Sequence, residues 1–261
     1  MSAVEELVRG ERPSPHVLLI RLTRPAKRNA LTNAMVVAIA DLLEGAREDV
    51  DCRCVVITGD DVAFSAGADI AEVQATDGAS VNDPVRVAAW RRIERFPKPL
   101  IAAVNGICFG AGNELAMTAD FILAGRNARF GQPEVKIGGI AGDGATQRLP
   151  RKIGPGLASL MLLSGEPIDA ETALRAGLVV EVTDMARTVA RALEVAAAIA
   201  ARAPLAVQET KALIRATSNM GLEAGLAMER EALWRVFGSA DRREGMAAFL
   251  EKRPAKWSGR W

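Results

Sequence analysis

Short apolar runs alternate with stretches of helical spacing along the chain up to about residue 184. The runs 16-HVLLIRL-22, 54-CVVITG-59, 100-LIAAVNG-106 and 178-LVVEV-182 are rich in aliphatic and β-branched residues and read as strands. Between them, 33-NAMVVAIADLLEGARED-49 puts Met35, Ile39, Leu42 and Leu43 on one stripe and predicts a helix capped by Asn33. The stretch 84-PVRVAAWRRIERF-96 predicts a second helix with Pro84 in its first turn. Strand–helix alternation of this kind indicates an α/β architecture.

From about residue 185 the pattern is helical throughout. The segments 185-MARTVARALEVAAAIAARA-203, 205-LAVQETKALIRATSN-219, 221-GLEAGLAMEREALWRVFGS-239 and 241-DRREGMAAFLEKR-253 follow one another, punctuated by Pro204, Gly221 and Gly238. Their stripes include Leu222, Leu226, Met228, Leu233, Trp234 and Phe237. So apolar a tail is expected to cover its own core and also another subunit. The division expected is a core over residues 1–200 and a helical oligomerisation domain over 201–261.

Composition narrows the function. The 261 residues are 49% hydrophobic and 25% charged, which suits an ordinary globular protein. Lys+Arg is 33 against Asp+Glu 32, a balance that argues against a broad surface for nucleic acid or an anionic membrane. No apolar stretch is long enough to span a bilayer, and 1-MSAVEELVRGERPSP-15 has no apolar signal core, so a cytoplasmic protein is expected. Cys52, Cys54 and Cys108 lie in or beside apolar segments and read as buried free thiols. With His16 as the single histidine, a zinc site lacks ligands, so no metal is expected, and His16 itself reads as a strand-edge residue rather than a base.

Two carboxylates stand out. Glu114 and Glu134 lie in 105-NGICFGAGNELAMTADFILAG-125 and 128-ARFGQPEVKIGG-139, among small and apolar residues where a charged carboxylate is poorly hydrated. The stretch 110-GAGNELAM-117 reads as a tight turn feeding a helix, whose first N–H groups lack internal acceptors. A second small-residue turn, 64-FSAGADI-70, offers further N–H groups. Two such turns, if they meet, make an oxyanion hole. Taken singly, glycine-rich turns are mostly only turns, and Glu134 fits a helix cap or a surface acid as well. The dinucleotide-binding GxGxxG fails, because Gly110 and Gly112 are followed by Leu115, and 138-GGIAGDGAT-146 has no P-loop Gly-Lys-Ser/Thr.

Together, 64-FSAGADI-70, 99-PLIAAVNGICFGAGNELAM-117, 130-FGQPEVKIGG-139, 146-TQRL-149, 174-LRAGLVVEV-182 and 241-DRREGMAAFLEKR-253, in this order and spacing, resemble the enoyl-CoA hydratase/isomerase (crotonase) superfamily. The resemblance runs from 21-RLTRPAKRNAL-31 to Lys252. It implies a spiral of ββα units followed by a C-terminal helical domain that builds homotrimers or homohexamers. It implies an acyl-CoA substrate, with coenzyme A part of that substrate and no separate cofactor; the charge balance adds the expectation of neither nucleic acid nor membrane as partner. By position, the backbone N–H groups of Ala68 and Ala111 correspond to the oxyanion donors, and Glu114 and Glu134 to the two acid/base residues of hydratases. Lys27, Ala66, Asp69, Ile70, Gly142, Phe249 and Lys252 fall at substrate- or CoA-binding positions, with Lys252 expected to reach a neighbour's site.

The motifs are more specific for the superfamily than for the reaction. Hydration of a trans-2-enoyl-CoA leads, with isomerisation or hydrolysis on the same scaffold, or a non-catalytic RNA-binding relative, as alternatives. Some positions depart from the pattern. Family lysines that help hold CoA phosphates are Val62 and Ala71 here, Ala111 replaces a common glycine, and the usual proline-glycine-alanine-glycine-glycine turn is 141-AGDGA-145. Asp143 therefore adds a charge that either supports the turn or tunes substrate choice.

Overall fold

The computed structural model describes residues 7–261 and contains two sheets and eleven α-helices among those residues. The chain opens with β1 (Val8–Ser14), β2 (Val17–Leu22) and α1 (Asn33–Glu48). There follow β3 (Cys54–Thr58), β4 (Ala63–Ser65), α2 (Ile70–Ala75) and α3 (Pro84–Glu94). Next come β5 (Leu100–Val104), β6 (Ile107–Phe109) and α4 (Ala111–Thr118), then β7 (Phe121–Gly125), β8 (Arg129–Gly131) and α5 (Ala145–Ile153). After α6 (Pro155–Ser164), β9 (Ile168–Asp169), α7 (Ala170–Ala176) and β10 (Glu181–Thr183), the chain is helical: α8 (Thr188–Ala200), α9 (Pro204–Ala216), α10 (Leu222–Gly238) and α11 (Ala240–Leu250).

The larger sheet has the order β1-β2-β3-β5-β7-β10, parallel except for the antiparallel β1–β2 pair. The smaller sheet, β4-β6-β8-β9, has parallel β4, β6 and β8 and an antiparallel β9. Three times, then, one strand joins the large sheet, the next joins the small sheet, and a helix follows. This is the expected spiral of ββα units.

Alternation within the strands sends side chains to two cores, because both faces of the large sheet are covered. Leu18, Ile20, Val55, Ile57, Leu100, Ala102 and Val104 face a core shared with α1 and α3. Val17, Leu19, Cys54, Val56, Ile101, Ala103 and Leu123 face α8, which presents Ala192, Ala196 and Ala200. Three alanines four residues apart make a flat helical stripe that lies close on the sheet. Cys52, Cys54 and Cys108 are buried and free, and burial raises the thiol pKa of each, Cys54 to about 12.

Some local expectations shift. The helix from Asn33 is capped by Thr32, whose hydroxyl accepts from Met35 N at 3.2 Å. Asn33 instead starts the helix and ties it to Ser80 O at 3.0 Å and, through its N–H, to Glu72 at 2.9 Å. Pro84 does open α3, with the Asp83 side chain capping it. The strand over 178–182 begins only at Glu181: the N–H groups of Leu178 and Val179 both donate to Ala173 O, closing α7 past the left-handed Gly177. His16 occupies the turn before β2, with φ of 65° and Nδ1 2.8 Å from Asp51 O. No helix among the described residues is long and apolar enough to cross a membrane. The reading of the N-terminal stretch rests in part on residues 1–6, which lie outside the described residues.

Candidate active site

Glycine geometry builds the site. Two strands of the small sheet end in turns at glycines: β4 leads into Gly67 with φ of 112°, and β6 into Gly110 with φ of 51°. The two turns touch. A Cβ placed on Gly110 would lie 3.6 Å from Gly67 Cα, and one on Gly67 would lie 3.2 Å from Phe109 O. The peptide units that carry the Ala68 and Ala111 N–H groups therefore abut. Ala111 opens α4, where helix geometry leaves its N–H without an intrahelical acceptor. Among the described residues the Ala68 N–H has no acceptor either; its neighbours Gly67 O and Asp69 N bond to Leu31 instead.

Glu114 stands one turn into α4, a helix whose every residue is buried, and is itself 1% exposed. One carboxylate oxygen, Oε1, accepts from the N–H groups of Asp143 and Ala145, both at 2.8 Å. Those two amides precede and open α5. Burial outweighs these bonds, and with the nearby Asp143 and Glu134 carboxylates it raises the Glu114 pKa to about 7. Glu134 lies in the short 3₁₀ turn Pro133–Ile137, with Oε1 3.1 Å from where a Gly110 Cβ would stand. Its pKa is also raised, chiefly by burial and further by Asp143. The two oxygens of Glu134 differ: Oε1 accepts from Gln132 Nε2 at 3.2 Å, while Oε2 is buried with no hydrogen-bond partner among the described residues.

Sequence reading did not find the side chains that hold this pair. Buried Asn113 donates to Gln132 Oε1 at 2.9 Å, so a relay runs from α4 through Gln132 to Glu134. Arg86 of α3 grips the Asp143 carboxylate. Polar residues inside otherwise buried runs, such as Asn113 in GAGNELAM, were the available signal.

Of the remaining candidates, Lys27 ends the 3₁₀ turn Pro25–Lys27, whose following residues pack against the 66–70 turn: Ala66 N donates to Arg28 O at 2.9 Å. The Asp69 carboxylate caps α2 and pairs with Arg24 at 2.5 Å, while Ile70 is exposed at the start of α2. Gly142 is exposed in the loop that carries Asp143. Val62 and Ala71, where the resemblance has lysine, are both exposed. Phe249 and Lys252 lie at the exposed end of α11, and no hydrogen bond or ion pair among the described residues joins them to the glutamates.

The family model described as enoyl-CoA hydratase/isomerase matches residues 13–260. The chain belongs to the enoyl-CoA hydratase/isomerase family. It is an enzyme with crotonase architecture. It is 46% identical to the 2,3-dehydroadipyl-CoA hydratase of Escherichia coli (strain K12), with 94% of this chain and 96% of that one covered. It is 38% identical to the crotonyl-CoA hydratase of Syntrophomonas wolfei, covering 92% and 93%. The crystal structure of an enoyl-CoA hydratase from Bacillus anthracis superposes with a TM-score of 0.92 at 35% identity, covering 97% of this chain and 100% of that one.

Proposed function

We propose that the protein hydrates a trans-2-enoyl-CoA thioester to the 3-hydroxyacyl-CoA. The observation that carries this reading is the meeting of two unsatisfied N–H groups with two carboxylates of raised pKa. The Ala68 and Ala111 amides grip the thioester oxygen, where negative charge grows as water attacks C3. The glutamates divide the work by their surroundings. Glu114, its Oε1 held by two amides, is suited to the ionised form and takes a proton from the water through Oε2. Glu134 keeps a buried, unpartnered Oε2, suited to a protonated oxygen that delivers its proton to C2. Hydroxyl goes to C3 and hydrogen to C2, and a proton passing back from Glu114 to Glu134 restores the pair.

Loss of absorbance with crotonyl-CoA tests this directly, since an isomerase gives little 3-hydroxyacyl product. A panel of thioesters including 2,3-dehydroadipyl-CoA then defines the acyl group. The pH dependence should be bell-shaped. As pH falls below about 7, Glu114 gains a proton and kcat/KM should drop about tenfold per unit. An unchanged rate down to pH 5 would remove Glu114 as the base.

The tail supports a homotrimer or homohexamer. Leu222, Leu226, Trp234, Phe249 and Leu250 are all more than half exposed in a single chain. Light scattering should return a multiple of 27.7 kDa, and a monomer would leave this apolar surface without an explanation.

A further inference from the structure

We infer that the buried Arg86–Asp143 ion pair is a positioning element for Glu114: it fixes the loop whose amides hold that carboxylate, and it balances the charge beside it. The two side chains are only 8% and 9% exposed, and the guanidinium meets the carboxylate with both terminal nitrogens, Nη1–Oδ1 being 2.9 Å. Nη1 also donates to Val81 O at 3.2 Å, and the guanidinium carbon stands 5.7 Å from the Trp90 ring centroid. Residue 143 is held at other atoms as well. Its carbonyl accepts from Arg148 Nη1 at 2.6 Å, and Arg148 reaches Glu94 with its other arm at 2.5 Å. With side chain and carbonyl fixed, the Asp143 N–H is aimed at Glu114 Oε1.

The charges around Glu114 make the second half of the inference specific. Asp143 faces it as an anion, and the Glu134 carboxyl stands close to it as well. Arg86 offsets Asp143, and the Arg148 cation is offset by Glu94. Neutralising Asp143 removes an anion and leaves a buried, unpaired cation, and both changes favour ionised Glu114. Neutralising Arg86 leaves the Asp143 anion uncompensated, which favours protonated Glu114. The two single variants therefore push in opposite directions, which a purely structural strut does not do.

The inference rests on the hydratase reading, with Glu114 as the ionised base. The test is kcat/KM against pH with crotonyl-CoA for the wild type, Asp143→Asn, Arg86→Gln and Arg86→Lys. The acid limb should move to lower pH in Asp143→Asn and to higher pH in Arg86→Gln, by about half to one unit each. Arg86→Lys should return the limb to its wild-type position while kcat stays below wild type, because lysine keeps the charge and lacks the two-pronged grip. Limbs that stay put, or move the same way in both neutral variants, would overturn it. Should Arg86→Gln fail to fold, Asp143→Asn alone decides the sign. Should the wild type hydrate nothing, the hydratase reading fails; carbon-13 NMR titration of Glu114 in wild type and Asp143→Asn still reads the charge effect without turnover.

Discussion

Replacing Glu134 with glutamine should lower the turnover of hydration by about 10²–10⁴-fold while leaving the fold intact. The amide is nearly isosteric. Its oxygen can keep the bond that Gln132 Nε2 donates to Oε1 at 3.2 Å. Its nitrogen then fills the place of Oε2, which has no partner to lose among the described residues. What disappears is the acidic proton for C2. Stability should move the other way. Burial raises the Glu134 pKa in the folded state, so the carboxyl favours folding below its unfolded value and loses that advantage as pH rises through the folded value. At pH 8 the carboxylate is a cost that the amide removes, so the variant should melt at or above the wild-type temperature, and the difference should shrink toward pH 4. Kinetics with crotonyl-CoA and thermal melts at the two pH values check both halves. Wild-type turnover would take Glu134 out of the mechanism. Glu114→Gln should cost as much activity, but its amide cannot accept at the second oxygen, so the Asp143 and Ala145 donors fix which way it sits.

How far the sequence revealed this molecule depended on whether a residue's surroundings were local. The strands over 17–22, 54–58 and 100–104 were legible because both sheet faces are covered, which leaves each run apolar apart from Arg21 and Thr58. The strands β4, β6 and β8 have three residues each, too few to show any period, and exist because a second sheet pairs them. The displaced start of β10 follows from the closing bonds of α7 onto Ala173, which no alternation of apolar residues encodes. In the site, Glu114 and Glu134 were visible as acids among small and apolar neighbours. Their support was not. Asn113 reaches Gln132 across 19 residues, and Arg86 reaches Asp143 across 57, so only the folded chain makes either pair. Asp143 reads in the sequence as an added charge that supports a turn or tunes substrate choice; the structure pairs its carboxylate with Arg86 and turns its N–H to Glu114.

Gly110→Ala should reduce kcat by about 10²–10³-fold, the typical cost of losing one oxyanion donor. The residue has φ of 51° and ψ of −129°, a conformation open to glycine and strained by about 1–3 kcal/mol for a residue with a side chain. The new Cβ would also stand 3.1 Å from Glu134 Oε1 and 3.6 Å from Gly67 Cα. Relief by rotating the 110–111 peptide turns the Ala111 N–H away from the thioester oxygen, and relief by moving Glu134 displaces the acid. Either way the loss falls on an interaction strongest in the transition state, so kcat should fall far more than KM rises. Gly67→Ala, with φ of 112° and its Cβ 3.2 Å from Phe109 O, should do the same from the other side of the site. Gly45→Ala is the counter-case. It lies on the exposed side of α1, and beyond the helix's own backbone no atom of the described residues comes within 4 Å of its Cβ, so alanine should stabilise the helix by about 0.5–1 kcal/mol and leave turnover unchanged. If Gly110→Ala turned over substrate at the wild-type rate, the amide of Ala111 could not be carrying the developing charge, whatever the glutamates did.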